Sequence, residues 1–237
     1  MTRRLLSMLG NLASDAAEYV WPRECHICGC RLAPHEEFVC TLCLGHLPRT
    51  RYHSIDFNNM EQRFAGLFPF ERATGHFFYS RGSDLSTLIQ DMKYRRFPGI
   101  GVRLGRLMGE ELLTVGFLDG VEVVIPVPMH FMKQARRGYN QAERLAAGLS
   151  AATGIRMSEA LKAVRPHKTQ TAKTLGERHA NTEGLFRLSD PSEAEGKGVL
   201  LLDDVCTTGS TLTAASLAIL RAAPGCRLTL LTLGVTF

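Results

Sequence analysis

Apolar positions in the first twenty residues recur at three- and four-residue intervals. Leu5, Leu9, Leu12, Ala16 and Tyr19 share one side of a helical wheel, and Asp15 and Glu18 take the other. This predicts an amphipathic helix rather than a secretory signal, despite the short apolar run after Arg3 and Arg4. Further on, Leu85, Leu88, Ile89 and Met92 predict a helix capped by Asp84 and ending near Tyr94, where Arg-Arg-Phe-Pro-Gly at 95–99 breaks it. Ile100, Leu104, Leu107, Met108 and Leu112 mark a second helix. The apolar, β-branched run from Val121 to Pro128 predicts a buried strand entering a loop. Asn140 with Glu143 forms a capping-box pattern for a helix through Leu145 and Leu149 that Gly154 ends. Gly198 to Leu202 is a second buried strand, Ser210 to about Ala223 a helix, and Arg227 to Leu233 a third strand. Alternating strands and helices of this kind predict an α/β fold with an open, mostly parallel sheet and helices on both faces. The polar stretch from Pro48 to about Asn59 reads as a linker, and no apolar run approaches the roughly 20 residues of a membrane-spanning helix.

Composition is that of a globular protein, 45% hydrophobic and 22% charged, which excludes a disordered or collagen-like chain. Charge adds more. The net +5 is uneven: residues 1–50 balance five basic against five acidic groups, whereas 133–178 hold ten Lys and Arg against three acids. Such a region suits an anionic ligand, a small phosphate or a nucleic acid, as well as a solvated basic face.

Five cysteines crowd into nineteen residues. Cys25 and Cys28 form one CxxC pair, Cys40 and Cys43 a second, and Cys30 falls between them as a bystander. Two such pairs supply the four thiolates of a closed, structural Zn2+ site, with His26, His35 and His46 as alternative donors for one place. The odd cysteine total speaks against a disulfide framework and for a reducing, cytoplasmic setting.

The richest segment runs from Val199 to Thr211. A buried strand delivers Asp203 and Asp204 at its carboxyl end, where open α/β sheets bind ligands. The chain then turns through Thr207, Thr208, Gly209, Ser210 and Thr211 into a helix. Turn amides, the helix N-terminus and hydroxyl donors make an anion site, and Gly209 allows close backbone approach. Two acids beside such a cradle make sense if they face sugar hydroxyls, with Mg2+ nearby. No Gly-Lys-Ser/Thr follows, so this is not a Walker loop.

The run resembles the 5-phosphoribosyl-1-diphosphate (PRPP) motif of type I phosphoribosyltransferases. The resemblance implies ribose contacts for Asp203 and Asp204, 5′-phosphate contacts for residues 207–211, and a hood over the site. Further segments narrow it to the ComF family, which joins a zinc ribbon to a phosphoribosyltransferase domain. These are the CxxC pairs, Lys93-Tyr94, Ile125 to Pro128, Arg137 to Ala142, Gln170, Arg178, Asn181 and Gly184 to Phe186.

On this resemblance residues 1–50 hold the amphipathic helix and a four-cysteine zinc ribbon. Residues 51–237 form the phosphoribosyltransferase-like domain, with a hood over about 60–118 and a core over about 119–237. Val127 and Pro128 open the diphosphate turn, which Arg136 and Arg137 are placed to neutralise. Arg137 and Asn140 are equally suited to fixing the loop and capping the next helix. Lys168 and Arg178 are candidates of a flap closing over substrate, Lys93 and Tyr94 belong to the hood or end its helix, and Cys206 packs. The implied activity is transfer of phosphoribosyl from PRPP, with Mg2+, to an acceptor, in a process tied to DNA uptake. The alternative is a non-catalytic nucleotide- or DNA-binding competence protein, or one engaging another competence protein. Tyr139 as the only aromatic in 133–178 gives a nucleic-acid groove little to stack on.

Overall fold

A computed structural model describes residues 22–164 and 184–236. The helix expected over Leu5 to Tyr19 lies outside them. The chain divides into two compact units, 1–47 and 48–237. The described part of the first is loop-rich, with isolated bridges pairing Glu24 with Arg31 and Glu37 with Val39, and one short helix, α1 (Thr41–His46).

The second unit runs through α2 (Asn59–Phe64), β1 (Arg72–Phe78), α3 (Asp84–Tyr94), α4 (Pro98–Thr114), β2 (Val123–Pro126), α5 (Phe131–Arg137) and α6 (Gln141–Thr153). It continues with β3 (Arg156–Met157), β4 (Leu161–Ala163), β5 (Phe186–Leu188), β6 (Gly198–Cys206), α7 (Ser210–Ala222) and β7 (Arg227–Val235). Five strands form one parallel sheet in the order β1-β7-β6-β2-β3. β4 and β5 pair antiparallel in a separate ribbon. The α/β class and parallel sheet expected from the alternation are therefore present.

Residues 198–202 of β6 are all buried, as a parallel strand covered on both faces requires. Val199 and Leu201 join Leu212, Ala215 and Ile219 of α7 and Met60 and Phe64 of α2 in one core. α6 packs on β2 and β6, and α4 packs along α6. Glycines set that last contact. A Cβ on Gly105 would stand 2.0 Å from the Leu145 carbonyl oxygen, and one on Gly148 2.0 Å from that of Val102.

Three local expectations change. Ser83, not Asp84, caps α3, its hydroxyl accepting from the Ser86 amide. Asp84 instead occupies the first turn, where a carboxylate favours the helix dipole. The stretch read as a linker is bonded to β1: the Phe78 amide donates to the Pro48 carbonyl and the Thr50 amide to that of His76. It covers what would be an open sheet edge. Finally, β1 itself lies within the 60–118 segment assigned to the hood, yet pairs with β7 in the main sheet.

Candidate functional site

The carboxyl ends of β2 and β6 lie side by side, and a cavity of about 250 Å³ opens there. Val127, Pro128, Arg137, Asp203, Asp204 and Thr211 all line it, joined by Lys93, His130, Asn140 and Gln141. Residues far apart in the chain thus meet because a parallel sheet puts its strand ends, and the loops leaving them, on one rim. Thr207, Thr208, Gly209 and Ser210 form the adjoining turn. Arg136 falls in α5; Lys168 and Arg178 lie outside the described residues.

The turn is built for close approach. Gly209 has φ of 81°, a left-handed conformation that glycine adopts without strain, and a Cβ there would stand 2.8 Å from Phe64 Cε1. Thr208 Oγ1 lies 3.1 Å from Ser210 Oγ and accepts from the Ser210 amide. Behind the turn, Arg63 of α2 donates through Nη1 to the Thr207 carbonyl (2.5 Å) and through Nη2 to the Thr236 carbonyl (2.6 Å). By engaging a loop carbonyl, Arg63 fixes the orientation of the peptide groups in the 207–210 turn. Nothing in the spacing around Arg63 points to this, because its partners are 144 and 173 residues away. Arg63→Met is expected to weaken binding of a phosphate ligand by about tenfold, the worth of one charge-assisted hydrogen bond. The melting temperature should move little; unchanged affinity would deny Arg63 this role.

The two acids differ in surroundings, since successive strand residues leave on opposite faces. Asp203 Oδ1 accepts from the Asp204 amide at 2.8 Å, and Asp204 Oδ1 from the Val205 amide at 2.7 Å. Asp204 Oδ2 meets Lys93 Nζ at 2.6 Å. Burial, and then the Asp204 charge, push Asp203 up to about 7. Cys206 is buried just beyond them, and burial also raises its thiol. It also has a basic neighbour that the sequence did not show, its sulfur accepting from Arg63 Nη1 at 3.4 Å.

The Arg137 to Gln141 segment fixes the loop and caps the next helix, and it also lines the cavity. Asn140 caps α6, accepting from the Ala142 amide and donating to the Val127 carbonyl, which ties the cap to the loop after β2. Arg137 lines the cavity, donates to Gln141 Oε1 at 3.1 Å and lies over the Tyr94 ring at 5.4 Å. Tyr139 donates its hydroxyl to the Met92 carbonyl. The Lys93-Tyr94 and Arg137 to Gln141 motifs, far apart in the chain, are therefore one assembly. Lys93 ends its helix and also reaches the acid pair, a role that apolar periodicity cannot reveal.

In the first unit the sulfurs of Cys25, Cys28, Cys30 and Cys40 all lie within 4.8 Å of one another. Cys43, the remaining member of the two CxxC pairs, is tied to Cys40, whose Sγ accepts from the Cys43 amide. The converging group includes Cys30, outside the two CxxC pairs, in the place that the spacing gave to Cys43. Zn–S bonds of about 2.3 Å in a tetrahedron place sulfurs about 3.8 Å apart, and Cys28 and Cys40 stand at 3.8 Å. Cys30, read from the spacing as a bystander, has its sulfur 3.2 Å from that of Cys28. Hydrogen bonds from the Cys30 backbone and thiol lower Cys28 to about 6, as suits a thiolate ligand. All seven cysteines are free of disulfides, and the donor set fits zinc.

A family model described as the phosphoribosyl transferase domain matches residues 126–231. The DNA utilization protein YhgH of Escherichia coli O6:H1 is 31% identical over 201 residues, covering 83% of this chain and 84% of its own. Competence protein F of Haemophilus influenzae is 36% identical over 133 residues, covering 54% of this chain and 58% of its own. Among solved structures, the allosteric regulatory enzyme of purine biosynthesis superposes on 60% of this chain and 29% of its own, with a TM-score of 0.41 and 18% identity.

Proposed function

The chain belongs to the ComF family of competence protein F and YhgH, and on that footing we propose that it binds PRPP or a related ribose phosphate and transfers phosphoribosyl to an acceptor. One observation carries this reading: the acid pair and the start of α7 share a single cavity with the loop after β2, about 75 residues earlier in the chain. In it the 207–211 turn holds the 5′-phosphate on its amides and hydroxyls. Asp203 and Asp204 accept from the ribose hydroxyls and favour the positive charge that develops on the ring as C1 loses diphosphate. Arg137, beside Val127 and Pro128, offsets charge on the leaving diphosphate; Arg136 is assigned the same duty, and Lys168 and Arg178 that of a closing flap.

Mg2+, implied by the resemblance, would share the acid pair with the Lys93 ammonium, which already sits 2.6 Å from Asp204 Oδ2. Three of the pair's four carboxylate oxygens are already engaged by the Asp204 amide, the Val205 amide and Lys93. Residues 1–50 are proposed as the zinc-bearing unit, and free thiols suit the cytoplasm. Among the described residues no helix is long and apolar enough to cross a membrane.

Cys25, Cys28, Cys40 and Cys43 are proposed as the zinc ligands. Cys25→Ser or Cys40→Ser is expected to abolish stoichiometric zinc, measured by metal analysis of the purified protein, while Cys30→Ser retains it. Retention by Cys40→Ser would overturn this set.

A second reading rests on the relatives' names, which speak of DNA utilization and competence. The basic 133–178 region would then hold DNA, or the protein would engage another competence protein, without chemistry. Diphosphate release from PRPP in a screen of nitrogenous acceptors, lost in Asp204→Asn, supports the transferase. DNA binding that weakens steeply with salt, without diphosphate release under any acceptor, supports the second reading.

A further inference from the structure

Among the described residues Lys93 is the one ammonium lining the cavity, and it is spent on the acid pair. Its side chain and that of Asp204 are only 20% and 17% exposed, so this is no loose surface pair. It is also held from both sides. Tyr139 donates to the carbonyl of Met92, the residue before it, and Arg137 covers the ring of Tyr94, the residue after it. The segment that makes both contacts also carries the cap of α6 and the bond from Asn140 to Val127. The ammonium is therefore delivered to Asp204 by a braced helix end. Burial works against its charge, but Asp204 and Asp203 outweigh burial and raise its pKa. Asp203 Oδ1 and Asp204 Oδ1 accept from backbone amides and Asp204 Oδ2 holds the ammonium at 2.6 Å, so a divalent ion brought to the pair would meet a positive charge already seated there.

We propose that Lys93 is the resident cation of the acid pair, standing where a divalent metal would otherwise be needed, so that the ribose phosphate end of the ligand binds without metal. The inference rests on the ribose-phosphate reading of the site and adds to it a metal requirement. Any Mg2+ in the reaction would then travel with a diphosphate-bearing ligand rather than with the protein.

Ribose 5-phosphate, which lacks the diphosphate, is the probe. Its affinity is measured by calorimetry on the full zinc-loaded chain, in chelator-free buffer stripped of Mg2+ on a chelating resin and then in excess Mg2+. Metal content and far-UV circular dichroism are checked in both. The wild type is expected to bind equally, within about twofold, in the two conditions. Lys93→Met leaves an uncompensated carboxylate near a dianionic phosphate and should bind about tenfold more weakly without Mg2+, recovering when Mg2+ is added. Lys93→Arg should restore metal independence. A wild type that loses about tenfold or more on removing Mg2+ would overturn the inference and leave the ribose-phosphate reading standing. A folded Lys93→Met variant as metal-independent as the wild type would also overturn it. A wild type that binds ribose 5-phosphate in neither condition removes the reading beneath it. The wild-type comparison requires no variant, so misfolding of Lys93→Met does not leave the question open.

Discussion

Gly148→Ala is expected to lose at least about 3 kcal/mol of stability, at the upper end of what overpacking costs. The added methyl would meet Val102 O at 2.0 Å, Val102 C at 2.8 Å and Arg106 N at 2.9 Å. All three are backbone atoms of α4, so no side chain can turn aside, and the two helices must separate. Leu104, Met108, Leu145 and Leu149, all fully or almost fully buried, would then lose packing together. Against a typical total of roughly 5–15 kcal/mol this means a large fall in melting temperature or little soluble protein. Gly154→Ala supplies the contrast. That glycine has φ of 75° and open space around its missing Cβ, so the cost is backbone strain of about 1 kcal/mol. Thermal unfolding followed by circular dichroism separates the two; a Gly148→Ala protein melting within about two or three degrees of wild type would refute the close-packing argument.

Asp203→Asn is expected to do two opposite things. Burial and the neighbouring Asp204 charge hold the Asp203 carboxyl near 7, above the 3.8 of an unperturbed aspartate. Because the folded state holds this proton more tightly, the penalty for a charged Asp203 is fully present above about pH 7. It shrinks as pH falls and disappears below about 4. The asparagine variant should therefore be more stable than wild type at about pH 8, by roughly 1–3 kcal/mol, with the advantage fading towards about pH 4. The same variant should bind a ribose phosphate about a hundredfold more weakly, through loss of charge-assisted hydrogen bonds to the sugar. Gain of stability with loss of binding is what a residue kept for function produces. A variant less stable than wild type at that alkaline pH, in parallel denaturant titrations, would show that the carboxylate serves the fold instead.

The core strands are legible in the sequence because they are buried on both faces. The apolar runs ending at Pro128 and Leu202 have no competing helical pattern, and the capping signals at Asn140 and Gly154 are local. β1 is not legible: Arg72-Ala-Thr-Gly-His-Phe-Phe contains a glycine and a histidine and shows no alternation. Gly75 is needed because a Cβ there would lie 2.6 Å from Val235 Cβ, a fact belonging to the partner strand. Likewise the acid pair and the 207–211 turn are contiguous and can be read directly. Arg63 and Lys93 act on that site from α2 and α3, across contacts that only the folded chain creates. Cys30 shows the same limit from another side, since spacing picks out the CxxC pairs but cannot place a fifth sulfur 3.2 Å from Cys28.

We read the cavity at the ends of β2 and β6 as a ribose-phosphate site. Calorimetric titration of the zinc-loaded protein with PRPP and Mg2+, beside the Asp203→Asn/Asp204→Asn variant, tests it most directly. The expected result is saturable one-to-one binding by the wild type and none by the variant, with both proteins folded and carrying equal zinc. Equal binding by both, or no heat from the wild type at several temperatures, would contradict it.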